Sequence, residues 1–272
     1  MATLHMLKSL TDTINTSFIL QDGDTVLMVD GGYPSETPYV YEYLKKLGGR
    51  VTGWFITHFH DDHMGCLMTL LQEHPDIIVE RLYHHFPSAE FICRREPTQS
   101  GIPSERLIAD FRTALHNRGV AVEKVSEGDV YTFGGITMQV LLTPDESITA
   151  NPINNSSCVF RFEVASKSIL FLGDLGIEGG NRLMAGCDPS LLHADYLQMA
   201  HHGQNGVSRE CYEAIRPTYC LWPTPSWLWD NAGEGGYDTG MFQTVIVRGW
   251  ISALRCVKRH YRMTEGTHVI EL

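Results

Sequence analysis

Thr57-His58-Phe59-His60-Asp61-Asp62-His63 follows the short apolar run Val51-Thr52-Gly53-Trp54-Phe55-Ile56 and gathers four strong metal-ligand side chains within six residues. A chain of this composition contains H-x-H-x-D-H by chance in roughly two cases of a thousand. The run before it has the length and apolar character of a buried strand. The cluster therefore falls in the loop at a strand's C-terminal end, where α/β folds keep their chemistry. His58 and His60 stand one residue apart on an extended segment, so both project to one side, as two imidazoles on one ion require. Asp62 and His63 turn the other way and suit a second ion. Two ions roughly 3.5–4 Å apart can share a hydroxide, but such a centre also needs a bridging carboxylate and a further imidazole. Asp174 and the pair His201-His202, each at the end of a predicted strand, are the natural suppliers.

Outward from that stretch, residues 17–30 read as a β-hairpin turning at Asp22-Gly23, and 39–47 as a helix stopped by Gly48-Gly49. Residues 65–73 are helical and 77–83 form a strand, which with 51–57 makes a parallel crossover. Residues 86–103, rich in Pro, Arg and Ser, show no regular period. A capped helix over 104–115 precedes strands at 120–125, 129–133 and 136–142, which begin a second run of sheet. Beyond the polar loop 143–157 come strands at 158–164, 168–172 and 194–200. A helix at 208–215, a strand at 218–222, a loop at 223–240, one long helix over about 242–260 and a last strand at 268–272 complete the chain. The pattern predicts one domain over residues 1–272, α/β (α+β) in class, with two mixed sheets face to face and helices outside.

Composition narrows the functional classes. The chain is 43% hydrophobic with a formal net charge of -11, which argues against a broad grip on nucleic acid or an anionic membrane. Seven cysteines without C-x-x-C spacing fit a reducing cytoplasm, and no apolar run reaches the length of a signal sequence or a membrane span. The expected partner is a small-molecule substrate. His84-His85 lacks a matched partner and is read as surface or rim, and Cys66 as helix packing. Trp222, Trp227 and Trp229 are read first as packing, with contact to an apolar or quaternary ammonium group as the alternative.

Asp30-Gly31-Gly32, His58-x-His60-x-Asp62-His63, Gly173-Asp174 and His201-His202-Gly203, in this order, resemble the metallo-β-lactamase superfamily over nearly the whole chain. Asn154-Asn155-Ser156-Ser157 before a strand, Ser208 and Thr264-x-Gly266 are similar to the branch related to the hydrolase domain of bacterial DNA-uptake channels. Phosphorylcholine esterases of Gram-positive cell walls look similar too. The resemblance implies a four-layer αββα sandwich and a binuclear centre, zinc first and iron or manganese as alternatives. It implies His58 and His60 on one metal, Asp62 and His63 on the other, Asp174 between them and His202 as the last ligand, with Asp62 and His201 nearest the chemistry. Asp30 would orient the ligand loop. The implied reaction is hydrolysis of a phosphodiester, phosphate ester or lactone by metal-bound hydroxide, water on such an ion having a pKa of about 7. The alternative is a non-hydrolytic member, either a di-iron redox protein or a binding module. The family's usual third histidine for the first metal is missing from loop 143–157, where Asn155, Asp145 or water would stand in. The first metal is therefore expected to bind more weakly than the second.

Overall fold

A computed structural model describes residues 1–272. One seven-stranded sheet runs, in spatial order, Ala121–Lys124, Arg81–His84, Gly53–Phe55, Thr25–Asp30, Ser17–Asp22, Thr3–Met6 and His268–Glu271. The other runs Val130–Phe133, Ile136–Leu142, Val159–Val164, Lys167–Phe171, Tyr196–Gln198, Tyr219–Trp222 and Arg259–Arg262. Each sheet is antiparallel at one side and parallel at the other. Parallel neighbours need long crossovers. Helices Thr37–Lys46, Asp61–Glu73 and Ser104–Asn117 supply them on the first sheet, and Arg209–Ile215 and Thr244–Ala253 on the second.

Alternation along the strands assigns the layers. Val26, Met28 and Trp54 join the apolar cluster under the helices of the first sheet, while Leu27, Val29 and Phe55 face the second sheet. In the second sheet Phe160, Ile169 and Phe171 face inward, and Val159 and Leu170 face the outer helices with Tyr212 and Ile251. Three separate apolar cores therefore hold four layers, the αββα sandwich expected. The central core is aromatic: Phe55 stacks on Tyr83 at 4.7 Å and meets the edges of Phe162 at 5.1 Å and Phe160 at 5.6 Å. No helix is long and apolar enough to cross a membrane.

Two expectations need correction, and two stretches without an assignment gain one. Residues 121–124 pair in parallel with Arg81–His84 in the first sheet, not the second, because the helix Ser104–Asn117 returns the chain to the sheet it left. The long final helix stops at Ala253, and Arg259–Arg262 becomes an edge strand paired with Tyr219–Trp222. There Tyr261 turns inward between Arg259, His260 and Arg262, a two-residue period that a helical reading passed over. Thr3–Met6, left unassigned in the sequence, fills the gap between Ser17–Asp22 and the C-terminal strand. The stretch 86–103 forms a helix at Ala89–Arg95 and a minimal pairing of Thr98–Gln99 with Ile102–Pro103.

Candidate metal centre

The loops after Gly53–Phe55, Lys167–Phe171 and Tyr196–Gln198 lie at the C-terminal ends of parallel strands and carry all six predicted ligands. Thr57 is pinned first: its N–H and Oγ1–H both donate to buried Asp30, at 2.8 and 2.9 Å. His60 keeps an extended backbone and caps the helix Asp61–Glu73, so Asp62 and His63 occupy the helix's first turn. The helix therefore starts four residues earlier than its apolar period suggested. Acidic side chains in a first turn also favour the helix dipole.

Asp174 is set by a glycine turn. Gly173 adopts φ +57°, and a Cβ there would stand 2.7 Å from Ser157 Oγ and 2.8 Å from Thr57 Cβ. Gln198 clamps the turn, its Oε1 accepting from Leu172 and Gly173 N–H and its Nε2 donating to Gly173 O. Ser157 Oγ accepts the Asp174 N–H at 3.0 Å. His201 and His202 both hold left-handed backbone, at φ +51° and +54°. Such conformations cost roughly 1–3 kcal/mol each and persist where surroundings impose them. Here Thr224 Oγ1 donates to His202 O at 2.6 Å and Gly173 O accepts the His201 N–H at 3.0 Å.

Counting protons shows what these residues want between them. The Thr57 hydroxyl proton goes to Asp30, so His58 Nδ1, 3.1 Å away, must donate to Thr57 Oγ1 and leave Nε2 a bare lone pair. His60 Nε2 donates to Glu96 Oε2 at 2.7 Å, which in the neutral ring leaves Nδ1 bare; burial lowers the His60 pKa, but Glu96 outweighs it and holds it above its ordinary value. The two bare nitrogens face each other at 2.9 Å. His63 Nδ1 donates to Asp30 Oδ2 at 2.7 Å and His202 Nδ1 to Pro223 O at 3.2 Å, so in the neutral ring each Nε2 carries the lone pair. They point at carboxylates: His202 Nε2 lies 2.9 Å from Asp62 and 3.2 Å from Asp174, and His63 Nε2 lies 3.4 Å and 3.3 Å from the same pair. Lone pairs aimed at one another and at carboxylates repel unless a proton or a metal cation lies between them.

The electrostatics agree. Burial raises the Asp62 carboxyl, but His63 and His202 outweigh it and hold it well below the usual carboxylate range. Asp174 behaves alike, with burial overcome by His202, His63 and His201. Burial lowers His202, yet Asp174 and Asp62 lift it to about 9, and Asp174, Asp62 and Asp30 lift His63 well above its ordinary value. Two buried carboxylates so placed call for positive charge, which a proton on either Nε2 or a divalent cation can supply. His58 is held well below its ordinary value by burial and by His63 and His60. His63 Nε2 and Asp174 Oδ1 are buried and make no hydrogen bond, and the donor atoms of Asp62, His63, Asp174 and His202 lie within 4.8 Å of one another. This set of two imidazoles and two carboxylates fits a divalent cation.

The pair His58 and His60 adjoins that set but gains no third histidine. Asn155 is committed elsewhere, its Oδ1 accepting from Gly176 and Gly179 N–H and its Nδ2 donating to Ala150 O and Glu178. Asp145 caps Ser147 and reaches toward Arg182. Neither is free to serve as the stand-in. His201 lies 3.8 Å from Asp174, with Nδ1 donating to Asn205 O and Nε2 beside Asn154 Nδ2 at 3.3 Å. Glu96, behind His60, escaped the sequence reading because it sits in the stretch without a period.

Other residues singled out have plain roles. Cys66 is buried in helix packing, its thiol pushed up to about 12 by burial. Trp222 is buried with Nε1 donating to His260, and Arg248 and Arg262 each stand 4.1 Å from the Trp229 ring. Trp229 thus has cationic partners of its own already.

A four-layer sandwich with a buried His/Asp cluster at its strand ends defines a class of metal-site proteins. The chain belongs to the metallo-beta-lactamase superfamily, whose pattern matches residues 10–218. It is 32% identical to ComE operon protein 3 of Bacillus subtilis over 155 residues, 57% of this chain and 17% of that protein. It is 27% identical to hydroxyacylglutathione hydrolase of Gloeobacter violaceus over 194 residues, 70% of this chain and 60% of that protein. It spans less than two thirds of either relative. Among solved structures it resembles CmlA, a diiron beta-hydroxylase from Streptomyces venezuelae, with a TM-score of 0.57 at 14% identity over 100% of this chain and 54% of that one. That likeness is one of fold.

Proposed function

We propose that the chain is a metal-dependent hydrolase acting on a phosphodiester, phosphate ester or lactone-type small substrate, with two zinc ions as its cofactor. The observation that carries this reading is the convergence of four imidazole nitrogens on each other and on two buried carboxylates. His63, His202, Asp62 and Asp174 would hold the tighter ion, and His58 with His60 the weaker, Asp174 lying between them. When bound, the ions supply Lewis acidity and an activated water. The chain's own contribution is orientation. Asp30, Thr57, Glu96 and Pro223 fix the tautomer of each histidine, so that no N–H points inward. Asp62 and Asp174 stay ionised and balance the added positive charge. His201, held below its ordinary pKa by burial, keeps Nδ1–H as donor to Asn205 O and turns its Nε2 lone pair toward Asp174, so it is placed to take up a proton at Nε2 and hand it on to a leaving group. The similarity to a named hydrolase supports hydrolysis, while substrate and metal rest on this proposal.

The test is elemental analysis of purified protein followed by turnover of a generic phosphodiester and a lactone, compared between wild type and His60→Ala. Two zinc ions with activity lost in the variant are expected. Equal turnover in both proteins would overturn the assignment. Iron in place of zinc, with no hydrolysis, would favour the redox reading instead.

A further inference from the structure

A cavity of about 650 Å³ lies apart from the metal site. None of the six proposed ligands lines it. It runs along the edge strand Ala121–Lys124 and the C-terminal end of its parallel neighbour Arg81–His84, roofed by the helices Ala89–Arg95 and Ser104–Asn117. The volume is that of a small-molecule pocket.

Its walls are of two kinds. Phe59, Phe86, Ile92, Ile108 and Phe111 form an apolar floor, where Phe59 packs edge-on against Phe86 at 5.1 Å and Phe111 at 6.0 Å. Arg112, His116 and Lys124 stand at the mouth, all exposed. The arginines around them are paired, Arg81 with Glu123 and Arg106 with Asp110, whereas Arg112 and Lys124 make neither an ion pair nor a side-chain hydrogen bond. Glu146 is the lone carboxylate of the lining, and both its oxygens accept from Ser88, at 2.6 Å from N–H and 3.1 Å from Oγ. Although the chain carries a net charge of -11, the mouth of this apolar cavity carries two unpaired cations.

We propose that this cavity is a second binding site, separate from the metal centre, for an amphipathic carboxylate: an apolar tail on the phenylalanine floor and an anionic head between Arg112 and Lys124. An apolar body gains by burial against the floor, and the head gains charge-assisted hydrogen bonds. A neutral head loses the second term, and a cationic head meets like charge. Phe59 connects the site to the metal loop, since it lies between His58 and His60 in the chain. The proposal does not depend on the hydrolase reading.

Isothermal titration calorimetry with decanoate, decanol and decyltrimethylammonium tests it on the full chain. Decanoate is expected to bind at least roughly tenfold more tightly than either control, and Arg112→Ala/Lys124→Ala to remove that preference. Val122→Trp provides the second variant. Val122 lines the cavity but is 50% exposed on the edge strand, so the larger ring fills the space without disturbing the core. It is expected to abolish decanoate binding while leaving metal content unchanged. No heat from decanoate, equal affinity for the three probes, or undiminished binding in Val122→Trp would overturn the proposal.

Discussion

Asp30→Asn changes one atom and should disable the tighter metal site. Asp30 is fully buried and accepts three hydrogen bonds, from Thr57 N–H, Thr57 Oγ1–H and His63 Nδ1–H. In the variant the amide oxygen keeps Thr57 N–H, which turns the NH₂ group toward His63 Nδ1. Two donors then face each other. His63 relieves the clash by moving its proton to Nε2, the atom that must face the ion with a lone pair. Restoring the binding tautomer forfeits a hydrogen bond to a charged group, worth about 1.5–3 kcal/mol. That energy corresponds to roughly a 10- to 100-fold loss of metal affinity. The assay is competitive zinc titration against a chromophoric chelator, at neutral pH, on protein stripped of metal. Unchanged affinity for both ions in a folded Asp30→Asn variant would refute the tautomer argument, since the side chain's shape is preserved.

Further outcomes follow from other contacts. Glu96→Gln loses the charged acceptor behind His60, so the same titration should show the weaker ion released roughly tenfold more easily and the tighter ion unmoved. Asn155→Ala strands the Gly176 and Gly179 amides, and urea melts should record a loss of about 2–4 kcal/mol with the tighter ion still bound. Burial, with His85, Lys124 and Arg112 beside it, lowers His84 to about 4 from an ordinary 6.5. The unfolded chain therefore takes up this proton below pH 6.5 and the folded chain only near 4, so stability falls as pH drops through that window. His84→Gln should flatten that part of the stability curve, removing at most ~3 kcal/mol of pH dependence.

The sequence carried the site further than it carried the fold. His58, His60, Asp62 and His63 are local in the chain, so their spacing alone exposed them. Asp174 and the pair His201-His202 stood out because each ends a strand beside a glycine, and the choice of His202 within the pair came from the family resemblance. Glu96 has no such marker: its meeting with His60 depends on a helix and a two-residue pairing in a stretch without period. Asn155 looked like a free polar group and is in fact the knot that ties Gly176 and Gly179 to the loop before them. Hydrophobic period gave the two central sheets but failed at the edges. An edge strand such as Arg259–Arg262 is half solvated, and its charges mask the alternation that Tyr261 alone keeps. The paired cores were legible because strands buried on both faces leave little room for polar residues.

The central claim is that two unequal metal sites lie side by side, one complete and one missing its third histidine. Zinc titration of the wild type, His202→Ala and His60→Ala proteins measures it directly. The account predicts two ions of distinct affinity in the wild type, with the tighter one lost in His202→Ala and only the weaker one lost in His60→Ala. Two equally tight ions in the wild type, or binding that neither substitution alters, would contradict it.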